Sequence, residues 1–261
     1  MSRGYYRGGP GNRPAYTYIG SGGFPPATKA LVIANGVVFA LQVFDGIAGG
    51  GAFVRNFGLQ PYSITHDLYL WQLVTYIFLH GGFFHILFNM FALWMFGGEL
   101  ERTWGSREFL KFFFICGIGA GISSVLMEPN STIPTIGASG AVYGILLAYG
   151  LLFPNRIIHL YMIIPIPAKY FVMMIGGIAF MSSFSGGGGG IAHIAHLGGM
   201  VFGFLYLRSG KVGGLTRGLR DYYDKWQRER LRRKFDVYYN KRQQERDRND
   251  DDDEKGRRWR N

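Results

Sequence analysis

The sequence is short of charge where a water-soluble domain would need it. Only 17% of the 261 residues are Asp, Glu, Lys or Arg, and these are unevenly spread. Before position 208 there are ten basic and six acidic residues; the other 18 of the 28 Lys and Arg lie between Arg208 and Arg260. So few charges cannot solvate the surface of a folded body of that length, which excludes a soluble globular domain and leaves a membrane-embedded one with a charged tail. Cysteine is almost absent. The single Cys116 lies in an apolar run, so an internal disulfide is excluded and nothing follows about redox compartment. No apolar stretch precedes Leu31, so no cleavable signal peptide is evident, and the first apolar segment is expected to act as its own insertion signal.

What the chain does have is long apolar runs and 40 glycines. Residues 1–27 are Gly, Tyr, Arg and Pro without periodicity and are expected to be disordered. Six apolar stretches follow within 28–208: Leu31 to Gly46, Phe83 to Gly98, Phe109 to Leu126, Ile136 to Phe153, Ala168 to Ser183 and Ile191 to Leu207. Each approaches the ~20 residues that cross ~30 Å of hydrocarbon, which predicts an all-α polytopic membrane protein with six transmembrane helices. Between the first two, Leu68 to Val74 is amphipathic and suits an interfacial segment with Trp71 at headgroup depth.

Six spans put both termini on one side, and that side then holds 27 of the 28 basic residues, with only Arg55 opposite. By the positive-inside rule that side is cytoplasmic. Residues 209–261 read as a charged cytoplasmic tail, partly helical and acidic from Asp250 to Glu254. A basic tail could bind nucleic acid. Beside a membrane domain, an anionic inner leaflet is the expected partner instead, and no nucleic acid is expected.

Orientation also groups the polar residues. Spans two, four and six all run inward, so His80, His85 and Asn89, then Ser139, then His193 and His196 all fall at the outer ends of their spans. Ionisable groups inside a membrane domain are costly, and each is a functional candidate. Ser139 lies in Thr135-Ile136-Gly137-Ala138-Ser139-Gly140-Ala141-Val142-Tyr143-Gly144. At the start of a helix its neighbouring N–H groups lack intrahelical partners and can donate to an anion, as at an oxyanion site. The plainer reading is a Gly/Ser helix-packing face.

Gly199 and Gly203 form a GxxxG face on span six that could pack on Gly140 and Gly144, bringing His196 within reach of Ser139 as a serine nucleophile requires. Tyr143, one turn below Ser139, could stack on that imidazole. No carboxylate lies in the outer halves of these spans, so the sequence allows a two-residue site. His85 and Asn89 share a helix face at i, i+4, and both could donate to a developing oxyanion beside the backbone N–H of Ser139. His80 is expected to fix the loop ahead of span two, and His193 to line the cavity without taking part. Zinc held by the histidines is the competing chemistry, but no carboxylate or thiolate stands near them and it leaves Ser139 unexplained.

Three segments in order resemble the rhomboid family of intramembrane serine proteases. His80-Gly81-Gly82-Phe83-Phe84-His85-Ile86-Leu87-Phe88-Asn89 is similar to its H-x4-H-x3-N, Gly137-Ala138-Ser139-Gly140 to its G-x-S-G, and Ala195-His196-Leu197-Gly198-Gly199 to its A-H-x-x-G. Glu101 with Gly105-Ser106 resembles the turn after its second span. The resemblance covers about residues 30–207. It implies a six-helix bundle with its active-site cavity open to the outer face, Ser139 as nucleophile and His196 as general base and acid. It also implies an oxyanion hole of His85, Asn89 and the N–H groups of Ser139 and Gly137, with no metal or cofactor; Tyr143 and Gly199 are expected to support the Ser139–His196 dyad. Substrates would be single-span membrane proteins cut near the outer face. Where the family's first loop often carries Trp-Arg, this chain has Trp71-Gln72.

The Gly-rich segment Ser185 to Gly190 is expected to cap the site. The rival function is a catalytically inactive rhomboid-like protein that binds membrane clients, although that reading normally goes with loss of the serine or histidine. A transporter is disfavoured, because no buried carboxylate relay or broken-helix repeat is visible. Short loops and the lack of a targeting peptide point to a bacterial plasma membrane.

Overall fold

A computed structural model of the protein describes residues 24–160, 164–183 and 190–210. The amino-terminal tail to residue 23, the charged tail from residue 211 and the glycines of 186–189, about which the sequence raised expectations, lie outside the described residues. Helix α1 (Pro26–Ile47) opens with proline at its first turn, where a missing N–H costs nothing. Short helices α2 (Ala52–Phe57), α3 (Pro61–His66) and α4 (Gln72–Thr75) follow, and a 3₁₀ turn at Tyr76–Phe78 ends this connecting segment. Helix α5 (Phe83–Ala92) continues through a π turn (Leu93–Gly97) into α6 (Gly98–Trp104), giving one continuous rod. Then come α7 (Ser106–Met127), α8 (Ser139–Leu152), the hairpin β1 (Ile157–Leu160) and β2 (Ile164–Pro167), α9 (Ala168–Ser183) and α10 (Gly190–Arg208).

The rods Pro26–Ile47, Phe83–Trp104 and Ser106–Met127 are long and apolar enough to cross a membrane; Ser139–Leu152 and Ala168–Ser183 are shorter apolar helices. Five of the six predicted stretches lie within single rods. The fourth begins later than predicted, at Ser139 instead of Ile136, because Gly137 sits at φ +127°. A backbone in that region cannot be part of a right-handed helix.

Helix α7 is the centre of the bundle, packed against α8 and α10. Its Phe109, Phe112, Phe113 and Cys116 are fully buried. Its glycines seat neighbours instead of filling space. A Cβ on Gly119 would collide with Phe202 of α10, and one on Gly117 with Ile77 of the connecting segment. The closest contact in the bundle is between α8 and α10. A Cβ on Gly199 would overlap the Gly140 carbonyl oxygen, and one on Gly203 would approach the Gly144 Cα at 3.4 Å. Only backbone fits between the two helices at that level.

Two sets of buried polar contacts tie the ends together. Glu101 accepts hydrogen bonds from the Ala27 N–H (2.8 Å), the Thr28 N–H (2.7 Å), the Thr28 hydroxyl (2.7 Å) and the Ser106 hydroxyl (2.7 Å). One carboxylate thereby satisfies free N–H groups of α1 and joins it to the α6–α7 turn, which reverses at Gly105 with φ +81°. The connecting segment is held at Gln72, which is fully buried. Gln72 Oε1 accepts the Gln60 N–H at 3.0 Å, and the Trp71 indole N–H donates to the Asn56 carbonyl at 2.9 Å. Where an arginine was the pattern of the resemblance, the glutamine amide anchors this loop. Leu68, Tyr69, Leu70 and Trp71 are exposed.

Truncating Glu101→Ala leaves two α1 N–H groups and two hydroxyls without their acceptor. The expected loss exceeds ~2 kcal/mol, since a hydrogen bond to a charged group contributes about 1.5–3 kcal/mol. Thermal melting of the detergent-solubilised protein should show a drop of several degrees, with Glu101→Gln in between.

Candidate active site

Ser139 is the first residue of α8. The first intrahelical donor there is Val142, whose N–H bonds the Ala138 carbonyl at 3.0 Å. The N–H groups of Ser139, Gly140 and Ala141 therefore precede the helical ladder. His196 comes from the middle of α10, 57 residues away, and its Nε2 lies 2.8 Å from Ser139 Oγ. The glycine contact described above sets that distance, because Gly140 and Gly199 stand one and three residues from the two side chains. Tyr143, one turn along α8, stacks on the His196 ring at 4.2 Å with 5° between planes. For the serine hydroxyl to donate to Nε2, the imidazole must carry its proton on Nδ1.

The residues expected to receive an oxyanion arrive in different ways. His85 Nδ1 accepts the Gly81 N–H at 3.2 Å, so a neutral His85 carries its proton on Nε2 and offers it as a donor. That nitrogen lies over Gly137: a Cβ there would stand 2.8 Å from His85 Nε2 and 3.7 Å from Ser139 Oγ. Gly137 is thus not available as an N–H donor, because its N–H already bonds the Tyr76 carbonyl at 2.9 Å. What it contributes is the empty space between His85 and the serine. Asn89 is buried, and its amide donates to the His85 carbonyl at 2.9 Å. That bond uses one of its two amide hydrogens, and among the described residues no hydrogen bond joins it to Ser139.

Supports that the sequence did not disclose surround this arrangement. The Gln42 side chain of α1 clamps the backbone at His80: it accepts the His80 N–H at 3.0 Å and donates to the His80 carbonyl at 2.7 Å. The buried His80 ring stands edge-on to His85, 5.0 Å between centroids. Burial pushes the His80 imidazole down to about 4, with His85 acting in the same direction, which keeps it neutral at physiological pH. Tyr76 reaches across to α7, its hydroxyl donating to the Gly117 carbonyl at 2.6 Å, while its own carbonyl holds Gly137. Glutamine and tyrosine far away in sequence gave no motif by which to find them.

His193 stands one turn before His196, with ring centroids 5.8 Å apart and the rings nearly perpendicular at 77°. Among the described residues no group of three or more His, Cys, Asp or Glu is arranged to hold a metal ion. Chemically, the geometry can pass a proton from a serine hydroxyl to an imidazole and surround a nearby oxygen with N–H donors.

Residues 67–209, more than half of the chain, match the Rhomboid domain family model. The chain is 32% identical over 184 residues to the rhomboid protease GluP of Bacillus subtilis, covering 70% of this chain and 34% of that protein. It is 37% identical over 140 residues to the putative rhomboid protease YdcA of the same organism, covering 52% of this chain and 64% of the relative. It is also 30% identical over 156 residues to the mitochondrial rhomboid protein 1 of Saccharomyces cerevisiae, covering 57% and 45% respectively. The chain therefore spans between about a third and two thirds of the length of these relatives. With a matching domain over most of its apolar body and three helices fit to cross a bilayer, the chain is an integral membrane protein of the rhomboid family.

Proposed function

We propose that the chain is an intramembrane serine endopeptidase that cleaves single-span membrane proteins near the outer face of the membrane. Rhomboid proteins are generally intramembrane serine proteases, and two of the relatives above bear that name. The observation that carries the reading for this chain is the 2.8 Å approach of His196 Nε2 to Ser139 Oγ. In this reading Ser139 Oγ attacks the scissile carbonyl carbon while its proton passes to His196 Nε2. The tetrahedral oxygen is received by the Ser139 N–H, by His85 Nε2–H and by the remaining Asn89 amide hydrogen. On collapse the C–N bond breaks and His196 returns the proton to the departing amine. Water then enters by the same route and releases the acyl group from Ser139.

The topology proposed with it has six spans, both termini cytoplasmic, and Ser139 and His196 in a cavity open to the outer face of a bacterial plasma membrane. The basic tail would lie on the anionic inner leaflet. A substrate helix must unwind at the cleavage site, because a hydrogen-bonded helix hides its carbonyls from the nucleophile.

The test is a fluorophosphonate probe, which reacts with activated serines, applied to the purified protein in detergent. Wild type should label, whereas Ser139→Ala should not label at all. His196→Ala should fall by about 10²-fold or more, the usual contribution of a positioned general base. Gly199→Ala should lower labelling at least ~10-fold, since the added methyl would overlap the Gly140 carbonyl and move His196 away. A folded wild type that never labels would favour the client-binding reading, and labelling that survives Ser139→Ala would name a different nucleophile.

A further inference from the structure

We propose that His193 is a positioning residue for His196, accepting through one bridging water the hydrogen bond of the His196 Nδ1–H; the inference rests on the Ser139–His196 reading above. Once Ser139 occupies Nε2, the proton on Nδ1 needs an acceptor, and a serine site with an aspartate supplies one. Here His196 Nδ1 is buried and, among the described residues, has no hydrogen-bond partner. Tyr143 stacks on the face of the ring and makes no hydrogen bond to the edge that carries Nδ1. His193, three residues earlier on α10, shares that helix face. Its own Nδ1 is also buried without a partner.

Two orphaned nitrogens on adjacent rings are an unusual cost, because buried polar atoms are nearly always satisfied. The rings stand 5.8 Å apart between centroids, within reach of two hydrogen bonds of ~2.8 Å sharing one water. That water accepts from His196 Nδ1–H and donates to His193 Nδ1, whose own proton sits on Nε2. When the serine proton arrives at His196 Nε2, the imidazolium keeps its Nδ1 proton and its charge is stabilised along this chain. No proton is transferred to His193. The histidine expected to line the cavity passively thus takes the orienting place that a carboxylate would otherwise fill.

The test compares full-length wild type, His193→Phe, His193→Ala, His193→Asn and Ser139→Ala in detergent. Readouts are the fluorophosphonate labelling rate, kcat and KM on a fluorogenic transmembrane peptide, and the melting temperature. His193→Phe keeps the ring and its packing but removes the acceptor. It should lower kcat and labelling about 10–100-fold with KM unchanged, as loss of an orienting partner does. His193→Ala serves the same purpose if the phenylalanine variant does not fold. His193→Asn, whose Oδ1 can stand where Nδ1 stood, should recover most of the rate. Phe and Ala variants as fast as wild type, or an Asn variant as slow as both, would overturn the proposal. Wild type labelling no faster than Ser139→Ala would overturn the dyad itself, and this inference with it.

Discussion

The backbone contact between α8 and α10 governs everything near Ser139. Side chains normally hold helix axes 8–10 Å apart, and a serine and a histidine on such helices need not meet. At Gly140 and Gly199 no side chain intervenes on either helix, and the carbonyl of one occupies the place of a Cβ on the other. Gly144 and Gly203 extend the same contact one turn inward, bounded by Cys116 of α7. Within a bilayer no hydrophobic force drives helices together, so close packing and weak polar contacts do that work. The contact is therefore both the glue of the bundle and the ruler that sets the hydroxyl–imidazole distance.

A second constraint is polar. The segment between α1 and α5 carries many backbone groups that are neither helical nor in a sheet, and those that are buried must be satisfied within the protein. Side-chain amides do this at Gln42 and Gln72, a two-residue bridge pairs Leu59 with Thr135, and the Tyr76 carbonyl takes the Gly137 N–H. The same bridge and carbonyl fix the strand of chain that delivers Ser139 to the head of α8. The loop is thus rigid where it meets the site, through bonds made by residues that perform no chemistry.

Much of the fold was legible in the sequence because apolar runs bounded by charge or glycine report directly on what a bilayer tolerates. Helix α9 begins and ends at the predicted residues, and α10 within one residue of them. The start of α8 was misjudged by three residues, since apolar composition does not reveal a φ of +127° at Gly137. Around the site, the motifs and the GxxxG spacing pointed to the proximity of Ser139, His196 and Tyr143. The use of Gly137 as space, not as a donor, could not be read, because it depends on the tautomer of His85 and on a bond to Tyr76 61 residues earlier. Gln42 carries no signal in the sequence and Gln72 only that of a departure from the family's Trp-Arg, because the partner of a side-chain amide is fixed only by tertiary structure.

The length of α8 carries a consequence for where water and peptide must meet. Its 14 residues rise about 21 Å, whereas the 22 of α7 beside it rise about 33 Å. Their relative height is set where they touch: a Cβ on Gly140, at the head of α8, would meet the side chain of Ala120, and α7 continues for seven more residues to Met127. The head of α8 therefore stops roughly 10 Å short of the far end of α7. In the topology proposed above, a hydroxyl placed there is recessed into the thickness of the bilayer beside the taller α7. Proteolysis at such a depth would require that solvent descend to the peptide bond and that the chain to be cut be drawn down beside it. On that reading a peptide dissolved in the surrounding water has no reason to enter, and the shortness of one helix would act as a filter on what is cut.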